Sequence, residues 1–332
     1  MPPRSLELHP RVARALLALV TVTLLLAVVE VTLRLSGFEF HLHPEDLEFG
    51  KPDPVLIREA FRPDPDLYWV TPEYRETLDE LARQGPPLLL LGDSCTQLGH
   101  YDEALAAWAL QHRGRRLRYG NLAVAGWSTY QGRIQVERDL PALGPKVVTA
   151  YFGWNDHWVG FGFEDAEAAR WQRFGASAWG DLRWVQLVLR SRVALGERPL
   201  RVPLPAFREN LEAIVSAVRL QDAVPFLLTA PDDHRRGAEP EYLGTRWLRD
   251  LDELVPLHER YVAAVREVAE ATGAPLCDLA AAAEELPPAL RSALFRQDGI
   301  HLTAAGDEWV AEEIALCFEA RGLWDDLLEA PA

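Results

Sequence analysis

The sequence predicts an α/β fold in which helices cover both faces of a parallel sheet. Short apolar runs of strand length alternate with longer segments whose apolar residues repeat at helical spacing. Strands that alternate with helices form parallel sheets, because each crossover returns the chain to the same edge of the sheet. The expected strands are residues 87–91, 117–122, 146–152, 224–229 and 275–279. The expected helices are residues 101–112, 129–140, 207–220, 257–272 and 303–321.

An apolar segment near the N-terminus precedes this alternation. Residues 15–35 carry charges only at Glu30 and Arg34, and this length is close to the roughly 20 residues that span a bilayer. Three arginines precede the segment, so the positive-inside rule predicts that residues 1–14 lie in the cytoplasm. We therefore expect a single-pass signal anchor with the rest of the chain in the periplasm or at the cell surface. The alternatives are a cleaved signal peptide, which would release a secreted protein, and a buried core helix.

Composition excludes several classes of function. The chain of 332 residues has a formal net charge of −16, which argues against nucleic acid as a partner, because such binding depends on Lys and Arg. The cysteines Cys95, Cys277 and Cys317 show no C-x-x-C spacing, so they indicate neither a zinc site nor a thioredoxin-type site. Their odd number predicts no disulfide framework. Cys95 is expected to be a small packing residue rather than a rival nucleophile.

Two stretches fall outside the alternation. Residues 36–86 are rich in proline and predict an extended stalk that partly packs on the domain as a short hairpin. The alternating domain itself is expected to span residues 87–325. Within it, residues 153–205 contain five tryptophans and are too long for a simple crossover. This insertion is expected to be either a lid or substrate wall, or a packed pair of helices with buried indoles.

The first strand of the domain ends in a sharp turn toward a helix. The apolar run stops at Gly92, and Ser94 follows almost at once. At the carboxyl edge of a parallel sheet, such a turn exposes the serine oxygen beside free backbone N–H groups. This geometry suits a nucleophile that needs its oxyanion stabilised. The alternative is that Ser94 only caps the following helix.

Three later segments sit where a serine hydrolase would need them. Gly126 follows the second strand, where its backbone N–H can approach a ligand closely. Asn155 follows the third strand and can offer its side-chain amide to developing negative charge, while Asp156 can fix the loop. Asp298 lies three residues before His301 and can hold the imidazole in the tautomer whose other nitrogen is a base. Each residue also has a simpler interpretation as part of a turn, a cap or the surface.

Taken together, these segments resemble the four conserved blocks of the SGNH/GDSL hydrolase superfamily. The resemblance covers about residues 87–321 and depends on Gly92-Asp93-Ser94, Gly126, Gly153-Trp154-Asn155-Asp156 and Asp298-Gly299-Ile300-His301. It implies a flavodoxin-like three-layer α/β/α sandwich and ester hydrolysis without a metal or organic cofactor. It also implies that Ser94 is the nucleophile, His301 the base and Asp298 its orienter. The oxyanion hole would comprise the backbone N–H groups of Ser94 and Gly126 and the side chain of Asn155.

We therefore expect a membrane-anchored serine esterase that removes an acyl or acetyl group from a glycan or small molecule. Two alternatives stay open: an acyltransferase that uses the same triad to acylate a sugar hydroxyl, and a non-catalytic glycan-binding protein of the cell envelope. Several other residues at the same strand ends are expected to contact the substrate. They are Asp93, Trp154, His157, Asp233 and His234.

Overall fold

The elements of secondary structure alternate as the sequence predicts. The computed structural model describes residues 9–42, 59–160, 162–175 and 177–329. The strands in these residues are β1 Arg62–Asp64, β2 Tyr68–Val70, β3 Leu88–Gly92, β4 Tyr119–Asn121, β5 Val147–Tyr151, β6 Val224–Leu228 and β7 Leu276–Cys277. The α-helices that lie wholly within them are α1 Pro10–Leu35, α2 Tyr74–Gln84, α3 Ser94–Gln97, α4 Tyr101–Arg113, α5 Thr129–Arg138, α6 Asp165–Gly175, α7 Arg183–Leu195, α8 Leu204–Arg219, α9 Glu241–Arg246, α10 Leu254–Thr272, α11 Leu279–Glu284, α12 Pro288–Leu294, α13 Ala304–Ala320 and α14 Trp324–Leu327.

Strands β3 to β7 form one parallel sheet in the order β4-β3-β5-β6-β7. Counted along the chain within this sheet, the order is 2-1-3-4-5, which is that of flavodoxin-like doubly wound folds. The expected α/β fold is therefore confirmed. The five predicted strands and the five predicted helices are all present, with ends that differ by a few residues. The sheet order places the end of β3 next to the ends of β4 and β5, where such folds form their sites.

Apolar patterning explains the central elements. Every residue of β3 is buried, as expected for an uninterrupted leucine run with a helical layer on each face. In α8 the apolar residues at helical spacing form one buried stripe that faces the sheet. Helix α10 is followed by Gly273, its C-cap, which adopts the left-handed conformation that the sequence predicts.

The described part of the proline-rich segment packs against the domain. Strands β1 and β2 pair as an antiparallel hairpin, which agrees with the expected short hairpin. Helix α2 follows and was not predicted; it buries Tyr74, Leu78 and Leu81. Leu81 contacts Gly120 of β4, where an added Cβ would lie 2.8 Å from the leucine side chain. Residues 43–58 of the expected stalk lie outside the described residues.

Helix α1 corresponds to the apolar segment near the N-terminus. It has 26 residues, its most apolar 18-residue window has a mean hydropathy of 2.5, and that window is not buried against the described residues. By length and composition this helix could be a membrane anchor or a signal sequence. Its last turns contact the insertion: Arg34 donates to the Asp181 carbonyl at 3.0 Å, and the Trp184 N–H donates to Glu30 at 3.2 Å. Residues 1–8 of the expected cytoplasmic segment lie outside the described residues.

The tryptophan-rich insertion contains helices α6 and α7. Its indoles do not share one environment, because Trp154 and Trp158 are buried whereas Trp179 is 67% exposed. Phe163 packs with residues that follow α1 and with side chains of α6 and α7, so the insertion shares a small core with the segment after α1. The expectation of a helical pair with buried indoles is therefore only partly correct.

One disulfide contradicts the cysteine analysis. Cys277 in β7 is bonded to Cys317 in α13, and it ties the edge strand to the last long helix. The two residues are 40 positions apart, a spacing that carries no sequence signal, so the expectation of no disulfide is wrong. Cys95 is a free, buried thiol, as expected for a packing residue.

Candidate active site

Ser94 lies on a tight turn at the carboxyl end of β3. Asp93 is the N-cap of α3, since its carboxylate accepts a hydrogen bond from the Cys95 N–H at 2.9 Å. Ser94 is thus the first residue of the helix, and it is Asp93 that caps it. A Cβ at Gly92 would lie 2.8 Å from the Tyr151 carbonyl oxygen, so the turn can form this close to β5 only with glycine.

A chain of hydrogen bonds connects Ser94, His301 and Asp298. His301 Nε2 lies 2.9 Å from Ser94 Oγ, and His301 Nδ1 lies 2.8 Å from Asp298 Oδ2. A carboxylate accepts from Nδ1–H, which leaves Nε2 free to accept the serine proton. This is the arrangement required for a serine activated by a general base.

The charge of Asp298 is fixed by its own turn. Burial by itself would raise the pKa of this carboxyl group, but hydrogen bonds from the His301 ring and from two backbone N–H groups lower it to about 2. Those N–H groups belong to Ile300 and His301, and each lies 2.8 Å from Asp298 Oδ1. Asp298 is therefore ionised at neutral pH and can stabilise a protonated imidazole.

Asn155 and Gly126 face the same cavity as Ser94. The Asn155 amide donates to Asp93 Oδ2 at 3.0 Å, and since a side-chain amide has two N–H bonds, the second can serve a ligand. Burial raises the pKa of the accepting Asp93 carboxyl to about 6. Asp156 anchors the Asn155 loop, as expected, by accepting from the Thr129 N–H at 2.9 Å.

The loop that carries Gly126 is clamped by two side chains from outside the sheet. Gly126 has φ +82°, a left-handed conformation that favours glycine. Its carbonyl accepts from Arg201 Nη1 at 2.7 Å, and the preceding Ala125 carbonyl accepts from the Trp69 indole at 3.0 Å. Arg201 is itself buried and forms a bidentate pair with Asp165. These supports were not predicted, because nothing in the local sequence links residues so far apart.

The cavity around these groups has a volume of about 390 Å³ and a largely apolar wall. Besides the polar residues already described, its lining includes Phe61, Leu98, Trp154, Trp158, Trp247 and Ile300. A small polar centre surrounded by aromatic and aliphatic side chains is typical of a site that orients an organic substrate.

Of the five residues expected to contact substrate, Trp154 lines this cavity and the others do not. Asp93 is buried below the turn, where it holds Cys95 and Asn155. His157 is also buried, and its Nε2 lies 3.1 Å from His258 Nδ1. Asp93, His157, Asp233 and His234 are thus not part of this cavity lining, and their expected contact with substrate stays a prediction.

His234 supports the turn that carries Asp298. Its Nε2 lies 2.8 Å from the Asp298 carbonyl oxygen, and its Nδ1 lies 3.1 Å from Asp232 Oδ2. Arg291 donates to the backbone and side chain of Asp232 and so fixes the other end of this network. The Asp233 N–H donates to the Gly299 carbonyl at 3.0 Å. The polar run after β6 was the sequence signal for these residues, and the structure shows that they contact the turn of Asp298 and Gly299.

Trp154 is fixed by a buried histidine pair. Its indole stacks on His258 with 3.9 Å between ring centroids, and His258 Nε2 lies 2.9 Å from the Ala230 carbonyl oxygen. Burial lowers the pKa of both His157 and His258, so these rings are neutral at pH 7. A neutral pair packs against the tryptophan without placing charge behind the cavity lining.

The flavodoxin-like sheet and the Ser–His–Asp arrangement at its carboxyl edge define a serine-hydrolase type of site. Residues 90–309 match the GDSL-like lipase/acylhydrolase family. Because this match covers more than half of the chain, the protein belongs to that family and is an ester-hydrolysing enzyme.

Solved structures include several with a similar fold. A lipase/acylhydrolase from Enterococcus faecalis is 17% identical, with a TM-score of 0.48, over 74% of this chain and 98% of that one. A GDSL-like lipase from Bacteroides thetaiotaomicron is 14% identical, with a TM-score of 0.47, over 75% and 98% of the two chains. An acetylxylan esterase from Geobacillus stearothermophilus is 17% identical, with a TM-score of 0.46, over 70% and 94%. No curated protein sequence matches this chain.

Proposed function

We propose that Ser94, His301 and Asp298 catalyse hydrolysis of a carboxylic ester through a covalent acyl-enzyme. The observation that carries this proposal is the unbroken hydrogen-bond path from Asp298 through His301 to Ser94 Oγ, which opens into the cavity. In the first step Ser94 Oγ attacks the ester carbonyl while His301 Nε2 takes its proton. His301 then protonates the departing alcohol, and water activated by the same imidazole releases the acid.

The developing oxyanion would be stabilised by three donors. These are the backbone N–H groups of Ser94 and Gly126 and the free N–H of the Asn155 amide. Two features support this assignment: Gly126 and Asn155 line the same cavity as Ser94, and both are held by hydrogen bonds to surrounding side chains. Preorganised donors stabilise charge in the transition state without reorganising during the reaction.

Fluorophosphonate labelling tests the nucleophile directly. The wild-type chain should be labelled on Ser94, and Ser94→Ala should lose both the label and roughly 10⁴–10⁶-fold of its turnover of p-nitrophenyl acetate. Ser216→Ala is a matched control, since Ser216 lies exposed on the outer surface of α8. Unchanged labelling or hydrolysis in Ser94→Ala would refute the proposal.

Water is the acyl acceptor in this proposal, and a sugar hydroxyl is the alternative. Adding a panel of sugars to the p-nitrophenyl acetate assay separates the two. If water is the acceptor, nitrophenol and acetate should be released in equal amounts whether or not sugar is present. Acetylated sugar formed in place of acetate would instead show an acyltransferase.

For location, we propose that α1 anchors the protein and that the catalytic domain lies outside the cytoplasm. The 26-residue apolar helix and the arginines before it support this orientation. Protease added to cells whose outer membrane, where they have one, has been permeabilised should digest the domain while a cytoplasmic marker stays intact. Protection of the domain would contradict the orientation, and release into the medium would show cleavage of the N-terminal segment.

A further inference from the structure

A second and larger cavity lies beside the one that contains Ser94. Its volume is about 810 Å³, which falls within the roughly 300–1,000 Å³ of ordinary small-molecule sites. Its walls come from three parts of the chain outside the parallel sheet: the residues after α1, the β1–β2 hairpin and the insertion. The aromatic and aliphatic side chains in these walls include Phe40, Leu42, Phe61, Trp171, Phe174 and Leu189.

Two polar side chains of this second cavity are engaged within the protein, whereas the buried Gln172 Oε1 has no hydrogen-bond partner among the described residues. The Gln186 side chain accepts from the Phe40 N–H at 3.2 Å and donates to the Gly180 carbonyl at 3.1 Å. Asp64 accepts from Arg138 at 2.9 Å. A ligand that enters here therefore meets mainly aromatic and aliphatic surface, and binding gains chiefly from burial of apolar area.

Phe61 belongs to the walls of both cavities. One side of the shared wall is the space that contains Ser94 and His301, and the other side is the apolar space. Phe61 is only partly buried and packs edge-on against Trp69, with 6.1 Å between ring centroids. The two cavities therefore meet at this ring.

The second cavity also adjoins the end of α1. Phe40 follows the last residue of α1 by five positions, and α7 supplies Leu189 to the wall. The last turns of α1 contact two residues of the insertion. These are Asp181, in the loop before α7, and Trp184, in the first turn of α7. The outer surface of α7 exposes Val188, which is 60% accessible. If α1 spans a bilayer, the cavity lies at the membrane surface.

We propose that the second cavity binds the hydrocarbon chain of a long-chain acyl ester whose carbonyl is placed at Ser94. The chain would run past Phe61 from the catalytic cavity, and its apolar end would occupy the space between the hairpin and the insertion. This proposal rests on the proposed esterase function, because it requires an ester carbonyl at Ser94. It specifies the acyl group, which the triad alone does not.

The test compares esters that differ only in acyl length. The full chain is assayed with p-nitrophenyl acetate, octanoate and dodecanoate in nanodiscs of an ether-linked phosphatidylcholine, which carries no acyl ester that could compete. The wild type should favour dodecanoate over acetate in kcat/KM by at least roughly tenfold, because the additional methylenes are buried in the second cavity. Leu189→Trp fills that cavity and should lower the dodecanoate-to-acetate ratio by at least roughly tenfold.

Val188→Trp is the matched control. It adds the same side chain at the neighbouring residue, on the exposed surface of α7. The dodecanoate-to-acetate ratio of kcat/KM should therefore stay within about twofold of the wild-type value. Since substrate partitions into lipid equally in both assays, partitioning cannot cause a difference between the two variants. If circular dichroism shows that Leu189→Trp is unfolded, Val185→Trp fills another part of the same wall and replaces it.

Two outcomes would overturn the inference: a wild-type preference for acetate, or a dodecanoate preference that the cavity-filling variant leaves unchanged. The proposed esterase function has a separate readout. If Ser94 is labelled by fluorophosphonate and acetate is hydrolysed, only the assignment of the second cavity fails. If labelling and acetate hydrolysis are both absent, the esterase function itself fails.

Discussion

Asp298→Asn removes one charge from the site and leaves the shape of the side chain almost unchanged. The difference between the ordinary pKa of 3.8 and the value of about 2 in the folded protein corresponds to about 2 kcal/mol of preference for the ionised carboxylate. Much of that preference arises from His301, whose ring and N–H both contact the carboxylate. If the transition state loses this stabilisation of the protonated His301 ring, the barrier rises by about 2 kcal/mol, and the rate of hydrolysis falls roughly 30-fold.

A second effect of Asp298→Asn makes the loss larger. The asparagine amide can donate to His301 Nδ1, which favours the tautomer with the proton on Nε2, and that nitrogen can no longer accept from Ser94. We therefore expect kcat for p-nitrophenyl acetate at pH 8 to fall between about 30-fold and about 10⁴-fold. Asp325→Asn is the control, because the Asp325 carboxylate is 97% exposed. A loss of less than about threefold would refute the assigned function of Asp298.

The same carboxylate predicts a pH dependence of stability. Because its pKa is lower in the folded protein than in the unfolded chain, ionised Asp298 stabilises the fold above about pH 4. This contribution should be lost progressively as the pH falls from 4 to 2. Urea unfolding of the wild type and of Asp298→Asn should therefore give free energies that converge in this range. A difference that stays constant down to pH 2 would contradict the lowered pKa.

Three further variants test other parts of the structure. Asn155→Ala should lower kcat by about 10²–10³-fold with little change in KM, and unchanged kcat would exclude Asn155 from the oxyanion hole. Arg201→Leu leaves the buried Asp165 carboxylate unpaired and should lower the free energy of unfolding in urea by about 3–5 kcal/mol, whereas a change below about 1 kcal/mol would show that the pair contributes little. Replacing Cys277 and Cys317 together by serine should lower the free energy of unfolding in urea by about 2–4 kcal/mol. Dithiothreitol should have no additional effect on this variant. Equal stability of the variant and the oxidised wild type would contradict the prediction.

Regular apolar patterns account for the part of the fold that was predictable. The leucine run of β3 can be buried only as a central strand, and the apolar stripe of α8 can be covered only by a sheet or another helix. Helix α2 carried the same kind of signal in Tyr74, Leu78 and Leu81, but neighbouring prolines favoured an extended interpretation. The local apolar pattern was therefore sufficient to predict an element wherever that element buries one face.

The candidate site was predictable because its parts lie at the ends of strands. Ser94, Gly126 and Asn155 follow three strands whose carboxyl ends are adjacent, so the topology alone brings them to one edge of the sheet. Asp298 and His301 are three residues apart, which is enough for one turn to join carboxylate and ring. Their roles nevertheless remain a proposal that the substitutions above test.

Long-range contacts account for what was missed. Arg201 reaches Gly126 across 75 positions, and His234 reaches Asp298 across 64. Neither contact has a periodic or compositional signature, since a lone arginine or histidine is equally compatible with the surface. The Cys277–Cys317 disulfide was missed for the same reason. Such contacts depend on the assembled fold rather than on neighbouring residues.

The indole hydrogen bonds between the hairpin and the loop after β4 bear on the choice of the first residue in a shortened form of this protein. Trp127 donates to the Trp69 carbonyl at 2.9 Å, and Trp69 in turn donates to the Ala125 carbonyl, next to Gly126. A recombinant fragment trimmed to the family match at residue 90 would discard Trp69 together with Phe61. The first residue of the family match is therefore a poor choice for the first residue of a truncated form of this enzyme.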